Sequence, residues 1–275
     1  MLRAAVLGSP VAHSLSPVLH RAGYAAAGLD GWEYDLHEVD AAGLPGFVGV
    51  LDGSWRGLSL TMPLKEAALA VAASVSEVAR RAGAANTLVR RPDGGWDATN
   101  TDVAGVAGAL RPHLTGPPGR ALVLGAGATA RSCVLALAGL GVTTLTVRAR
   151  DTGKAADLLA WALDAGVGIR NGSVAGLDAW VSTRDDVVVS TVPPAGAEVV
   201  AASVPPQHAG VFLDVVYAGW PTAPARAAAA AGMTVVSGLD MLVHQAAEQF
   251  TLFTRHEAPL EAMLAAGRAA LGVAP

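Results

Sequence analysis

The sequence predicts an α/β fold in two domains, one of them a doubly wound parallel sheet. Three observations carry this. Strand and helix patterns alternate along nearly the whole chain. The runs "DVVVSTVP", "VFLDVVY" and "MTVV" are continuous apolar strands, the kind buried on both faces of a parallel sheet. The stretch "RPHLTGPPGR", rich in Pro and Gly, marks a boundary region beyond which the pattern changes. A length of 275 residues fits one large domain or two of ordinary size.

The elements follow in order. "AAVLG" is a short buried strand. "SLSPVLHRAGYAAAG" is a helix with Ser16 as N-cap and Pro17 at the first helical position. "WEYDLHEV" alternates Trp32, Tyr34 and Leu36 and reads as a strand, and "DAAGLPGFVGVL" as a helix. "WRGLSLT" is a strand, followed by the helix "MPLKEAALAV" with Pro63 at its start. "SEVARRAG" is a short helix, and "NTLVRRPDGGWDATN" a hairpin turning at Asp93-Gly94. After the helix "DVAGVAGAL", "ALVLGAGATARSCVLALAGLG" reads as strand, glycine turn and helix. "TTLTVRAR" is a strand, "KAADLLAWALDAG" a helix, and the three apolar strands follow. Two helices close the chain, "LDMLVHQAAEQFTLFTR" and "APLEAMLAAGRAAL".

Composition narrows the function classes. Hydrophobic residues make up 52% and charged residues 15%, enough for a sizeable core. A net charge of −4 gives no basic footprint for nucleic acid. No signal peptide is visible, and runs such as "CVLALAGLG" fall short of the ~20 residues of a membrane span. The single Cys133 excludes a disulfide framework and fits a reducing compartment, so a cytoplasmic protein is expected. Cys133 reads as a buried helix residue. His13, His20 and His244 lack short ligand spacing, so no metal is expected. Trp32, Trp55 and Trp220 read as core or wall residues.

Two clusters carry chemistry. "LVLGAGATA" places Gly125-x-Gly127-x-x-Ala130 after a strand and at the opening of a helix. The first glycine permits the tight turn, the second lets a pyrophosphate approach the backbone, and the helix N-terminus offers free N–H groups. This is the signature of a Rossmann-type dinucleotide site. A site for NAD ends the next strand with an acidic residue; here that end reads Arg148-Ala149-Arg150, which suits a 2′-phosphate and favours NADP over NAD. Asp151 beside it would repel a phosphate, or could serve a ribose hydroxyl instead.

The second cluster is polar: Ser14, Ser16, Thr61, Lys65, Asn86 and Asp102, each at an element end or helix start in low-charge surroundings. A dehydrogenase needs a proton-transfer group near the substrate oxygen. Lys65 lies in a first helical turn, where the dipole disfavours a cation, and Asp102 where it favours a carboxylate. On spacing alone Lys65 also reads as a surface lysine and Asp102 as an N-cap.

Six motifs in order resemble the shikimate dehydrogenase family over nearly the whole chain. They are "GSPVAHSLSPVLHRAGY", "SLTMPLK", "GAANTL" with "NTDVAG", "GAGATA", "DVVYAGWPT" and "GLDMLVHQAAEQF". The resemblance implies reversible NADPH-dependent reduction of 3-dehydroshikimate to shikimate, a step in aromatic amino acid biosynthesis. It implies Lys65 as acid/base paired with Asp102. Ser14 and Ser16 would hold the substrate carboxylate with Tyr217 nearby, and Thr61, Asn86, Asp102 and Gln245 its hydroxyls. Gly125, Ala126, Gly127, Ala128 and Thr129, then Ala149, Arg150, Asp151 and Lys154, would line the NADP site, with Glu77, Val215 and Gly238 close to the cofactor. Ser59 and Leu60 stand where the family has Asn and Val, Arg21 where it has Asn, and Ala149 and Asp151 where it has Asn and Thr. The implied substrate domain is 1–103 with helices 239–275 returning to it, and the NADP domain is 104–238, with the substrate in a cleft between them. Expected partners are these small molecules, with no nucleic acid or membrane, for a monomer or homodimer. An NAD-using quinate/shikimate dehydrogenase is the rival enzyme, and a non-catalytic nucleotide or metabolite sensor the rival of another class.

Overall fold

The computed structural model describes residues 1–178 and 185–272, and these form two compact units, Met1–Gly105 with Leu242–Pro275, and Val106–Met241. The first unit is built on β1 (Leu2–Gly8), β2 (Trp32–Glu38), β3 (Trp55–Leu60), β4 (Ser74–Val75), β5 (Thr87–Arg90) and β6 (Trp96–Thr99). Its helices are α1 (Ser16–Ala26), α2 (Leu44–Gly49), α3 (Leu64–Val71), α4 (Glu77–Ala82) and α5 (Asp102–Leu110), the last crossing into the second unit. The strand order is β2-β1-β3-β5-β6-β4.

This sheet is mixed, which corrects the expectation of parallel sheets throughout. β1 pairs in parallel with β2 and β3, whereas β5 runs antiparallel to both β3 and β6. The predicted hairpin accounts for the β5–β6 pair: the turn at Gly94 (φ 91°) reverses the chain, so the two strands it joins run antiparallel. The core under this sheet holds Trp55, Leu58, Leu60, Leu64, Leu88 and Trp96.

A second correction concerns α1. Leu15 occupies the N-cap position without a side-chain bond, and Ser16 is already helical and buried. The side chain that serves this turn is Ser14, whose Oγ accepts from the Ser16 N–H at 3.3 Å.

The second unit carries β7 (Arg120–Leu124), β8 (Thr144–Arg148), β9 (Asn171–Ala175), β10 (Val187–Ser190), β11 (Val211–Asp214) and β12 (Thr234–Ser237). Their order is β12-β11-β10-β7-β8-β9, every pair parallel. Counted within the unit this is the doubly wound order 3-2-1-4-5-6, with its switch point between β7 and β10. The helices are α6 (Ala128–Leu140), α7 (Thr152–Asp164), α8 (Ala197–Ser203) and α9 (Ala223–Ala230). Cys133 is buried in α6. β4, β9, α8 and α9 are absent from the sequence reading. β9 is an exposed polar edge strand, and α8 and α9 are short and alanine-rich, so none carries a strong periodic signal.

Two further helices end the chain, α10 (Gly238–Thr254) and α11 (Leu260–Leu271). From Leu242 onward they belong to the first unit. Gly57 of β3 lies flat under the Phe253 ring of α10, and any Cβ there would intrude on the ring.

Candidate active site and nucleotide loop

In the first unit, four elements bring a polar cluster together. Thr61 closes the turn into α3, its C=O accepting from Leu64 N–H at 2.8 Å, and Lys65 follows as the second helical residue. Asp102 opens α5. Its backbone N–H is held by Asn100 Oδ1 at 3.0 Å, while Asn100 Nδ2 donates to the Ala84 carbonyl at 2.9 Å. The Asp102 carboxylate is buried and bonded by side chains from other elements. Lys65 Nζ donates to Asp102 Oδ2 at 2.6 Å, and Asn86 Nδ2 donates to Oδ1 at 2.8 Å. Asn86 Nδ2 also reaches Gln245 Oε1 of α10 at 3.0 Å.

The side chains of Lys65 and Asp102 are 19% and 7% exposed, so the pair is largely out of water. A buried ion pair stabilises little by itself, but removing one partner leaves an uncompensated charge. Asn86 gives the Asp102 carboxylate its second hydrogen bond, on the oxygen that Lys65 does not take.

Behind the cluster lies a second polar layer that sequence reasoning missed: Tyr34, Thr87, Thr101 and Gln249, together with Ser59. Tyr34 Oη donates to Ser59 Oγ at 2.6 Å, and Ser59 Oγ donates to Gln249 Oε1 at 2.7 Å. His20 stacks on Tyr34 with ring centroids 4.1 Å apart. Full burial pushes the His20 imidazole down to about 3, offset only in part by the nearby Gln249 side chain, so the ring is neutral. A usable signal for Gln249 was its place four residues after Gln245, on the same helix face.

In the second unit, the loop after β7 carries the dinucleotide features. Gly125 has φ 104°, and a Cβ there would overlap Thr191 Oγ1. Its N–H donates to the Arg148 carbonyl at 2.7 Å, and Thr191 N–H donates to the Leu124 carbonyl at 2.7 Å. The glycine loop is therefore pinned between β8 and the end of β10, at the switch point. A Cβ on Gly127 would meet nothing within 4 Å, so the space over the loop is open. Gly127 stands at the N-cap of α6 with no side-chain bond, leaving first-turn N–H groups for an anion.

The end of β8 divides the predicted arginines. Arg148 is buried, its guanidinium losing proton affinity through desolvation with Asp185 opposing the loss. Arg150 is exposed, and Asp151 caps α7 by accepting from the Lys154 N–H at 3.1 Å. Gly238 packs so closely on Val215 that a Cβ would strike the Val215 carbonyl. These features fit a pyrophosphate and an adenosine phosphate.

Residues 6–88 match the model of the shikimate dehydrogenase substrate binding domain, and residues 238–266 that of the shikimate 5'-dehydrogenase C-terminal domain. The shikimate dehydrogenase (NADP(+)) of Methylobacterium radiotolerans is 38% identical over 260 residues, 90% of this chain and 89% of that protein. The chain belongs to the shikimate dehydrogenase family.

Solved structures of the family agree. The Mycobacterium tuberculosis shikimate dehydrogenase superposes with TM-score 0.86 at 46% identity, covering 98% of this chain and 100% of that one. The Thermus thermophilus shikimate 5-dehydrogenase, in complex with NADP(H) and shikimate, gives 0.85 at 35% identity, covering 98% and 100%.

Of the residues anticipated for a shikimate dehydrogenase, Lys65, Asn86, Asp102 and Gln245 form one hydrogen-bonded cluster. Ser14, Ser16 and Thr61 lie in the same unit, Thr61 at the turn before Lys65. Tyr217, Val215, Gly238 and the residues 125–129 and 149–154 lie in the second unit. Desolvation raises the Tyr217 phenol. Glu77 belongs to the first unit and is exposed, paired to Arg80 and Arg81 of its own helix, which hold its carboxyl below the usual range. Among the described residues no three His, Cys, Asp or Glu side chains converge as a metal site.

Proposed function

We propose that the protein catalyses the reversible NADPH-dependent reduction of 3-dehydroshikimate to shikimate, with Lys65 as the acid/base and Asp102 as its partner. The observation that carries this is the Lys65–Asp102 pair, 2.6 Å apart and largely buried, in the unit whose sequence matches the substrate binding domain. When bound, NADPH supplies hydride to the carbonyl carbon. Lys65 has three Nζ hydrogens, of which Asp102 Oδ2 takes one. Another is free to point at the substrate oxygen and to pass to it as negative charge develops there. Asp102 supplies the counter-charge and fixes Nζ in place. Ser14, Ser16, Thr61, Asn86, Gln245 and Tyr217 are the proposed hydrogen-bonding partners of carboxylate and hydroxyls. Recognition by directed hydrogen bonds would reject analogues that lack a hydroxyl, because the matching buried group is left unpaired.

Residues 125–129, Arg150 and Lys154, with Val215 and Gly238, are the proposed NADP contacts, and Arg150 is the exposed guanidinium for a 2′-phosphate. Asp151, engaged as a helix cap, is compatible with that assignment. We read the protein as cytoplasmic, acting as a monomer or homodimer. No helix among the described residues is long and apolar enough to cross a membrane.

Steady-state kinetics with shikimate and quinate crossed against NADP and NAD tests the reading. Shikimate with NADP is expected to give the highest kcat/KM. A preference for quinate with NAD would overturn it. Lys65→Ala is expected to lower kcat about 10²–10⁴-fold, the usual contribution of a positioned acid/base.

A further inference from the structure

The mechanism above uses Asn86 and Asp102 but not the buried polar layer behind them. We propose that Gln249 is a positioning residue for the Lys65–Asp102 pair, acting through a one-way hydrogen-bond relay that runs from Tyr34 to Asp102. The proposal rests on reading that pair as the acid/base.

The direction of the relay follows from two backbone groups whose roles are fixed. Thr101 N–H donates to Asn86 Oδ1 at 2.8 Å, so the other end of that amide, Nδ2, must face Asp102. The Asn86 carbonyl accepts from Gln249 Nε2 at 3.1 Å, so Gln249 Oε1 must face Ser59 and can only accept. The single hydroxyl hydrogen of Ser59 is thereby used, and Tyr34 has to donate to Ser59 Oγ. On the other side, Gln249 Nε2 also donates to Thr87 Oγ1 at 2.8 Å. That leaves the Thr87 hydrogen for Asn86 Oδ1, again at 2.8 Å.

Asn86 Oδ1 thus accepts from both Thr87 and Thr101. Turning its amide over would set an NH₂ against two donors and aim a carbonyl oxygen at the Asp102 carboxylate. Gln249 is the only side chain of the relay that binds both Ser59 and Thr87, so it ties the Tyr34 end to the Asn86 end. Tyr34, Ser59, Asn86, Thr87 and Gln249 are each at most 3% exposed, so water has no access to replace a lost partner. Gln249 has no direct bond to Lys65 or Asp102 here; its effect passes through Thr87 and Asn86 to the carboxylate.

The test is a double-mutant cycle on shikimate turnover. Gln249→Leu is expected to lower kcat about tenfold through misplacement of the pair. In an Asp102→Asn background the same change is expected to cost less than about twofold, because the carboxylate it aims is gone. Thr87→Val cuts the relay one link further on and should repeat both results, while Thr87→Ser, which keeps the hydroxyl, should recover most of the lost turnover. Should Gln249→Leu not fold, the Thr87 pair decides. Equal losses in both backgrounds mean a purely structural role and overturn the proposal, as does wild-type kcat in Gln249→Leu and Thr87→Val. Wild-type turnover in Lys65→Met would instead overturn the acid/base reading itself, and that variant leaves every bond of the relay in place.

Discussion

Lys65 and Asp102 are 37 positions apart and meet because two helix starts face one another in the first unit. The residue-scale consequence concerns Asp102. Its backbone N–H is held by Asn100, and its carboxylate is engaged by Lys65 and Asn86. Asp102→Asn is therefore expected to reduce kcat at least tenfold, measured with saturating shikimate and NADP, because the counter-charge of Lys65 is lost. The thermal midpoint should fall as well, because the largely buried Lys65 is left without its counter-charge. A collapse of stability with normal residual kcat would reverse the assignment. At this scale the residues of "SLTMPLK" and "NTD" were legible as candidates, because rare charges at helix starts stand out in a low-charge chain. Their pairing was not legible, since no local pattern links positions 65 and 102. Ser59, which stands where the family has Asn, has its acceptor and its donor engaged by Tyr34 and Gln249. Its partners sit 25 and 190 positions away, beyond any spacing rule.

At the scale of elements, the glycine loop after β7 works as a joint between three strands. Gly125 takes a left-handed φ of 104° and leaves no room for a Cβ against Thr191. Gly125→Ala is thus expected to weaken NADP binding about tenfold or more in isothermal titration and to lower the thermal midpoint of the apoprotein. Unchanged affinity would show that the loop does not depend on this contact. The strand, turn and helix here were legible from the glycine spacing together with the apolar run before it. Thr191 was not, because its role arises only once β10 lies beside β7 at the switch point. The end of β8 gave a mixed outcome for a similar reason: two arginines two residues apart point to the same face only in an extended strand, and the strand ends at Arg148. Arg148 is buried and Arg150 stands in the exposed loop before α7.

For the molecule as a whole, the strongly shifted buried imidazole sets a pH dependence. His20 titrates near 6.5 when unfolded and is pushed down to about 3 when folded. Between these values the unfolded chain binds the extra proton, so stability is full above pH 6.5 and is lost as pH falls below it. The slope approaches about 1.4 kcal/mol per pH unit. Urea unfolding from pH 7 to pH 4.5 should show this loss, and His20→Phe should flatten it; equal slopes for both would exclude His20 as the cause. The α/β class was legible because buried parallel strands are continuously apolar, and the hairpin was legible from Asp93-Gly94. The short or polar elements β4, β9, α8 and α9 were not, since their place is fixed by neighbours rather than by their own pattern. The return of α10 to the first unit has a consequence for how the molecule is made. The second unit is a single unbroken stretch, whereas the first is begun by its opening residues and finished by the last helices. Asn86 leaves the ribosome 159 positions before Gln245, roughly 8–30 s earlier at ordinary elongation rates. During that interval the nascent first unit lacks α10, and Asn86 lacks both glutamines, Gln245 at its side-chain amide and Gln249 at its backbone carbonyl. The unit translated first is the last to be completed, so its polar cluster closes only after every strand of the nucleotide unit has been synthesised.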